Sequence, residues 1–487
     1  MSIVDPAFLL FALPAMAVLY HLSRAIRGLD LQLVLIFVFS TVVYLLFGVF
    51  ASAVLLATIV VTYALSWAIA LAEGREALRR ACLAGVIVFN VGCLVLVKYH
   101  MVWLGGFKTW LQDGLGFAFI VPLGLSYFTI QQIGFAFDVF RRRTAPPGPV
   151  DYASYVIFFP QLAAGPIVRY RQFKAQLDEV RAGMPAAKWE GRLARGLTWF
   201  AIGAFKKAVI AEEMFRLIAP YYNLASAGEG SAVTSLITGL GATLALYFDF
   251  SGYSDMAIGI GLMFGLKLPV NFNAPFRFAH MRRFDRHWHV TFHEFLRDNV
   301  FVPLAGKNPS LLRRGAVIGL IYVLVILWHS PQLIYALWGL GAVLVLAFKL
   351  VFRQALATPA GRVADYAVSL AFLISACAVF VAPSWTAASG VMTTLFTVGP
   401  GFDLVFSHPA QTVWRLVLLG AVFVLLPFEI PTHALFGGER EADMRRLFGV
   451  TIPSWSPNAG WAAMTIALLL ASLWRAHDLR EVVYFTF

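Results

Sequence analysis

VLVILWHSPQLIYALWGLG, residues 323–341, sets one histidine between two apolar runs, 314–329 and 332–352. Each run approaches the roughly 20 residues that a helix needs to cross a hydrocarbon layer. An ionisable side chain at such a boundary is costly; it either serves a function or hydrogen-bonds between helices as a packing device. His329 is therefore the first candidate functional residue. Burial disfavours the imidazolium, and a neutral imidazole is a competent base.

The rest of the chain agrees with the membrane reading. Of 487 residues, 60% are hydrophobic and only 13% charged, and the mean hydropathy is +0.76. This is far from the balance of a soluble domain and identifies an all-α integral membrane protein. Further apolar segments fall near 7–22, 31–50, 51–72, 82–98, 115–140, 194–219, 232–265, 364–383, 412–430 and 459–474. About 11 transmembrane helices are expected. Arg24 and Arg27, then Arg75, Arg79 and Arg80, then Arg141, Arg142 and Arg143 follow alternate runs. The positive-inside rule places those loops in the cytoplasm and the N-terminus outside, periplasmic in a bacterial inner membrane. The net charge of +12, which in a soluble protein would suggest nucleic acid, is explained in the same way. The first run is preceded by Asp5 rather than by basic residues, lacks a small-residue cleavage site and is read as a retained helix. Cys82, Cys93 and Cys377 lie in apolar runs without metal-type spacing, which suggests neither a disulfide framework nor a zinc site.

Two stretches, 151–193 and 266–313, are too polar to span. They read as interfacial or re-entrant segments on the cytoplasmic side, "FFPQLAAGPI" entering as an apolar turn, because irregular backbone at depth needs protein or a water-lined cavity around it. The expected organisation is N-terminal helices over 1–114, a core over 115–350 and C-terminal helices over 351–487. No internal repeat of the transporter kind is visible, which weighs against a carrier.

"RFDRHWHVTFHEFLRD", residues 283–298, concentrates histidines and charge. Read as one helix, it puts His289, His293 and Arg297 on one face, extended backwards by Arg286 and Arg282. Two histidines four apart suit a metal, but no HExxH follows and no carboxylate stands ready, so no metal is expected. The alternative is an amphipathic interfacial helix with Trp288 at the water boundary. "LYFDFSGYSDMAIGIG", residues 246–261, places Asp249 and Asp255 in an apolar span, with Gly252, Gly259 and Gly261 for close helix contact. The aspartates are expected to pair with the arginines of 283–298.

Four motifs occur in order: "FFPQLAAGPIVRYRQF" (158–173), "YFDFSGYSDMAIGIGLMFGLKLPVNFNAPF" (247–276), "RFDRHWHVTFHEFLRDNVFVPLAG" (283–306) and "LWHSPQLIYALWG" (327–339). Together they resemble the membrane-bound O-acyltransferase (MBOAT) family, most closely a bacterial branch that includes an alginate O-acetylation protein. The resemblance covers residues 115–350. It implies re-entrant helices around a central funnel, with a cytoplasmic thioester such as acetyl-CoA as donor substrate, no tightly bound cofactor, and acetylation of an exported polysaccharide. A periplasmic acetyltransferase partner is implied as well. His329 falls on the family's Trp-His-Gly histidine and His289 on its Arg-Trp-His histidine. Ser330, Asp285 and His287 depart from the usual glycine, tryptophan and arginine. On this reading His329 is the general base, His289 polarises the reacting group, and Arg282, Arg283 and Arg286 meet the donor's phosphates. Asp249, Asp255 and Ser330 support the centre. D-alanyl transfer to teichoic acid from a carrier-protein thioester is the enzymatic alternative. A transporter of an anionic or lipid-linked solute is the non-enzymatic one.

Overall fold

The computed structural model describes residues 8–23, 31–103, 122–278, 284, 286–329, 333–352, 354–397, 409–426, 429–437, 445–447 and 450–475. Helices make up nearly all of its regular structure; one short antiparallel pairing joins Arg446–Leu447 to Val450–Thr451. Five helices among the described residues are long and apolar enough to cross a membrane: Val49–Leu71, Glu76–Lys98, Ala232–Met263, Leu311–His329 and Pro359–Val381. Shorter apolar helices include Leu31–Leu45, Thr412–Leu425 and Ala459–Arg475. Large apolar side chains such as Leu71 and Leu312 lie exposed on such helices, as lipid-facing residues do. The Pro359–Val381 helix starts where its sequence dictates. Thr358 accepts a hydrogen bond from the Gly361 N–H, and Pro359 occupies the first turn, where no N–H is needed.

The chain divides into two compact units. One comprises residues 1–200, 256–269 and 297–299. In it Val49–Leu71, Glu76–Trp103 and Leu125–Phe140 pack side by side, pinned by a buried polar ladder. Asn90 donates to Thr62 (2.8 Å), Gln132 donates to Thr58 (3.0 Å), and the Tyr152 hydroxyl donates to Gln132 (3.1 Å). Each such bond satisfies a group that lipid would leave unpaired. "FFPQLAAGPI" is buried here as the short helix Phe159–Leu162 and its flanks. Gly124, at φ 72°, lets the backbone approach the Leu162 carbonyl so closely that no Cβ would fit. Arg141 donates to Asn299 Oδ1 (2.7 Å) and to the Asp298 carbonyl (2.9 Å), and Arg169 pairs with the Asp298 carboxylate. These arginines, read from sequence as topology signals or loop charge, also tether residues 298 and 299.

The other unit comprises residues 201–255, 270–296 and 300–487. The Leu311–His329, Leu333–Val351 and Pro359–Val381 helices pack in succession, and Glu212–Ala227 packs against Trp385–Thr394 and Pro409–Leu425. Glu213 is buried and paired with Arg415 (2.8 Å) and with Arg475, which ties the last apolar helix to the unit. The Ala232–Met263 helix differs from the other candidate spans: 78% of its apolar window is buried, against 11 to 33% in theirs. Its surface is packed in protein rather than facing lipid, and this is why it tolerates aspartates and serines.

Two sequence expectations change. The segment 194–219 is one helical run, yet it contains a π-helical turn, Lys206–Ala211, between Ala186–Phe205 and Glu212–Ala227. Such turns are rare and gather at functional sites. The stretch 283–298 is not one helix. The helix covers Val290–Leu296, followed by a π turn Arg297–Phe301. Before it, the Asn273 N–H donates to the His287 carbonyl (2.9 Å) and the Val290 N–H donates to the Asn271 carbonyl (2.9 Å). Those bonds fasten 287–290 to 271–273 and withdraw the groups that a continuous helix would use.

Candidate active site

His289 ends the tied segment with φ 43°, in the left-handed region that non-glycine residues rarely adopt. Such a conformation costs on the order of 1–3 kcal/mol and persists where its surroundings over-determine it, commonly at sites of function. Here the surroundings are the backbone bonds to Asn271 and from Asn273, and a tight aromatic box. The imidazole stands edge to face with Phe250 (4.8 Å between centroids) and leans on Phe292 (5.0 Å). Its Nδ1 lies 3.0 Å from Asn271 Oδ1. The same oxygen accepts from the Thr291 hydroxyl (2.9 Å) and from the Thr291 N–H (3.4 Å), while Asn271 Nδ2 donates to Ser254 Oγ (3.1 Å).

His329 closes the Leu311–His329 helix, packed against Trp328 (4.6 Å), Phe380 (5.0 Å) and Trp338 (6.0 Å). The Trp328 indole also touches the His289 ring, at 6.3 Å. Both imidazoles thus border one indole, and both are nearly dry: His289 is 2% exposed and His329 7%. Burial first, then the neighbouring His293 and His329, hold the His289 pKa below the ordinary imidazole value. His289 is neutral near pH 7. It is able to take a proton.

The structure brings both His289 and His329 against the Trp328 indole. His293 is engaged with the backbone beside that pair, its Nδ1 against the carbonyls of Trp288 (2.9 Å) and His289 (3.3 Å). Arg286 is exposed. Arg282, Arg283, Asp285 and Ser330 lie outside the described residues.

Among the described residues, the aspartates expected to pair with the arginines of 283–298 meet lysines. Asp249 meets Lys207, and Asp255 accepts from Lys206 (2.9 Å) and Thr432 (2.8 Å). The reason is local. A Cβ on Gly252 would meet the Gly203 carbonyl at 2.7 Å and the Lys207 nitrogen at 2.9 Å, so the two helices touch there and the π turn delivers both ammonium groups to the aspartates. Glu429 joins the cluster through Tyr247, whose hydroxyl donates to it, and Lys206 lies 4.0 Å away. Sequence reasoning passed over Lys206, Lys207 and Asn271. A signal existed for the first two, because adjacent lysines inside an apolar run demand partners.

Comparison with known proteins gives one family match, to the "MBOAT, membrane-bound O-acyltransferase family", over residues 141–387. The chain is 33% identical over 291 residues to a protein named "Peptidoglycan O-acetyltransferase" from Helicobacter pylori, covering 54% of each chain. It is 34% identical over 221 residues to one named "Probable alginate O-acetylase AlgI" from Pseudomonas aeruginosa, covering 45% of this chain and 41% of that one. A protein named "Teichoic acid D-alanyltransferase" from Bacillus subtilis is 31% identical over 230 residues, covering 45% and 56% respectively. The matched part spans about half the length of these relatives.

Proposed function

The chain belongs to the membrane-bound O-acyltransferase family, and on that premise we propose that it moves an acetyl group from a cytoplasmic thioester, acetyl-CoA, to a hydroxyl destined for an exported polysaccharide. The observation that carries this reading is the pair of buried imidazoles, His289 and His329, both packed against Trp328. In the reaction the hydroxyl oxygen bonds to the thioester carbonyl carbon, the carbon–sulfur bond breaks, and the hydroxyl proton ends on the departing thiolate. A hydroxyl is a weak nucleophile near pH 7, so a base must take its proton as it attacks; such help is worth about 10²- to 10⁴-fold. The carbonyl oxygen gains negative charge in the same step, and a donor placed beforehand in a dry site stabilises it. Two imidazoles suffice, one for each task.

The exposed Arg286, with Arg282 and Arg283 beside it in sequence, suits the diphosphate of the donor, which charge-assisted hydrogen bonds would hold at the cytoplasmic mouth. The shorter apolar helices would bring the crossings to about eleven in a bacterial inner membrane, with the N-terminus periplasmic, and a periplasmic acetyltransferase would complete delivery to the polymer. D-alanyl transfer from a carrier-protein thioester is the second reading, supported by the Bacillus subtilis relative.

The test uses membranes from cells expressing the protein, incubated with acetyl-CoA radiolabelled in the acetyl group, and in parallel with a D-alanyl carrier-protein thioester. Label in ester linkage to envelope polysaccharide from the first donor, with free coenzyme A released, supports acetyl transfer. Label from the second donor alone would move the assignment to D-alanyl transfer. Label from neither, with the protein intact, would overturn the acyl-transfer reading.

A further inference from the structure

Asn271 makes more bonds around His289 than a packing residue needs. Its main-chain carbonyl holds the Val290 N–H, its Oδ1 faces His289 Nδ1 and both donors of Thr291, and its Nδ2 is tied to Ser254 on the internal Ala232–Met263 helix. The orientation of the amide follows from these partners. The Thr291 N–H can only donate, so the atom it faces must be the oxygen; turning the amide over would set an NH2 group against that N–H. With an acceptor opposite it, Nδ1 of the ring has to carry the hydrogen. The lone pair of a neutral ring then sits on Nε2.

We propose that Asn271, oriented by Ser254, is a positioning residue that fixes the tautomer of His289 and makes His289, through Nε2, the proton-accepting imidazole of the centre. The proposal rests on the acyl-transfer reading and revises the division of labour within it. A neutral His289 held this way has no hydrogen on Nε2 and so cannot polarise a carbonyl oxygen, the role the sequence assigned to it. That task passes to His329. During attack the hydroxyl proton moves to His289 Nε2. The resulting imidazolium donates from Nδ1 to Asn271 Oδ1, a bond that strengthens as the charge develops. The proton then leaves Nε2 for the thiolate, and the starting tautomer returns. The left-handed backbone at His289 and the ties from Val290 and Asn273 to neighbouring carbonyls aim the ring, and the Asn271 amide sets which nitrogen acts.

The experiment combines two readouts on full-length protein in lipid bilayers. The first is nitrogen NMR of protein labelled with 15N-histidine, with the His289 signal assigned by its loss in His289→Gln. Wild type should show Nδ1 protonated and Nε2 bare; Asn271→Ala should show a mixture. The second is the pH profile of acetyl transfer from acetyl-CoA. Asn271→Ala should lose at least about tenfold in kcat with KM for acetyl-CoA nearly unchanged, since orientation of a general base is at stake. Asn271→Asp keeps an acceptor on Nδ1, so it should recover most of that turnover. Its carboxylate stabilises the imidazolium and raises the His289 pKa. Activity should therefore fall off on acidification at a pH higher by about one unit or more than in wild type. A residue of merely structural importance would not move that limb. Ser254→Ala, a smaller perturbation, should show partial mixing of tautomers.

A bare Nδ1 in wild type would overturn the proposal, as would an unshifted acid limb in Asn271→Asp together with an unmixed tautomer in Ser254→Ala. Should Asn271→Ala fail to fold, those two results decide on their own. Full turnover by His289→Gln is a different outcome. It would remove His289 from the chemistry, whatever tautomer the spectrum shows.

Discussion

The Ala232–Met263 helix carries two buried polar clusters within a few residues of one another, and they are built on opposite principles. Around Asp249 and Asp255 opposite charges are matched, carboxylates to the ammonium groups of Lys207 and Lys206, with Thr432 filling a further acceptor site. Around Ser254 they are neutral and directional: hydroxyl, amide, imidazole, each bond fixing the orientation of the next. The first arrangement tolerates burial because opposite charges cancel, and it pulls helices together where Gly252 permits contact. The second holds an aromatic ring, on strained backbone, in a state from which it can take a proton and give it back. Charge that is paired holds a structure still. An uncharged ring in one tautomer is ready to react.

The contrast is broken most directly by removing the rings. His329→Ala or His289→Ala should lower acetyl transfer by at least about 10²-fold, the scale of general acid–base help, while thermal melting in detergent stays near wild type. A large loss of melting temperature with unchanged turnover per folded molecule would exchange the roles of the two clusters. The next effect is on stability. Lys207→Met strands Asp249 in a dry interior and should destabilise the protein by about 3–5 kcal/mol, whereas Lys207→Met combined with Asp249→Leu should recover most of it. Denaturation of the two variants alongside wild type reads that recovery. A pH series sharpens the other half. Burial depresses the His289 pKa, so the ring is neutral above that depressed value and activity is lost only as pH falls through it, below the ordinary imidazole range. An acid limb at or above that range would argue against a dry ring. The smallest effect belongs to a pair outside both clusters. Lys174 and Asp178, 2.6 Å apart and half-exposed, should contribute no more than about 0.5 kcal/mol when Lys174→Ala is measured.

The sequence carried the membrane character and the histidine pair because both are local signals. Apolar runs of spanning length announce helices whatever their neighbours do, and His329 stands out against such a run. The unwinding before Val290 was hidden, since it depends on bonds between 271–273 and 287–290 that no period within 283–298 reveals. The aspartates' partners were hidden for a similar reason. Arginines close in sequence looked suitable, but a glycine contact and a π turn bring lysines more than 40 residues away against them. Asn271 gave no sign, because an asparagine in "PVNFNAPF" is ordinary until its amide is seen to hold a ring.

Whether these imidazoles meet a thioester is the central matter, and a cryo-EM structure with a non-hydrolysable acetyl-CoA analogue addresses it most directly. The account predicts the analogue's carbonyl beside Trp328, with a ring nitrogen of His329 within hydrogen-bond reach of its oxygen, about 2.6–3.2 Å, and His289 Nε2 facing the space from which a hydroxyl would attack. An analogue bound with its carbonyl away from both rings, which stay sealed in their aromatic walls, would contradict it.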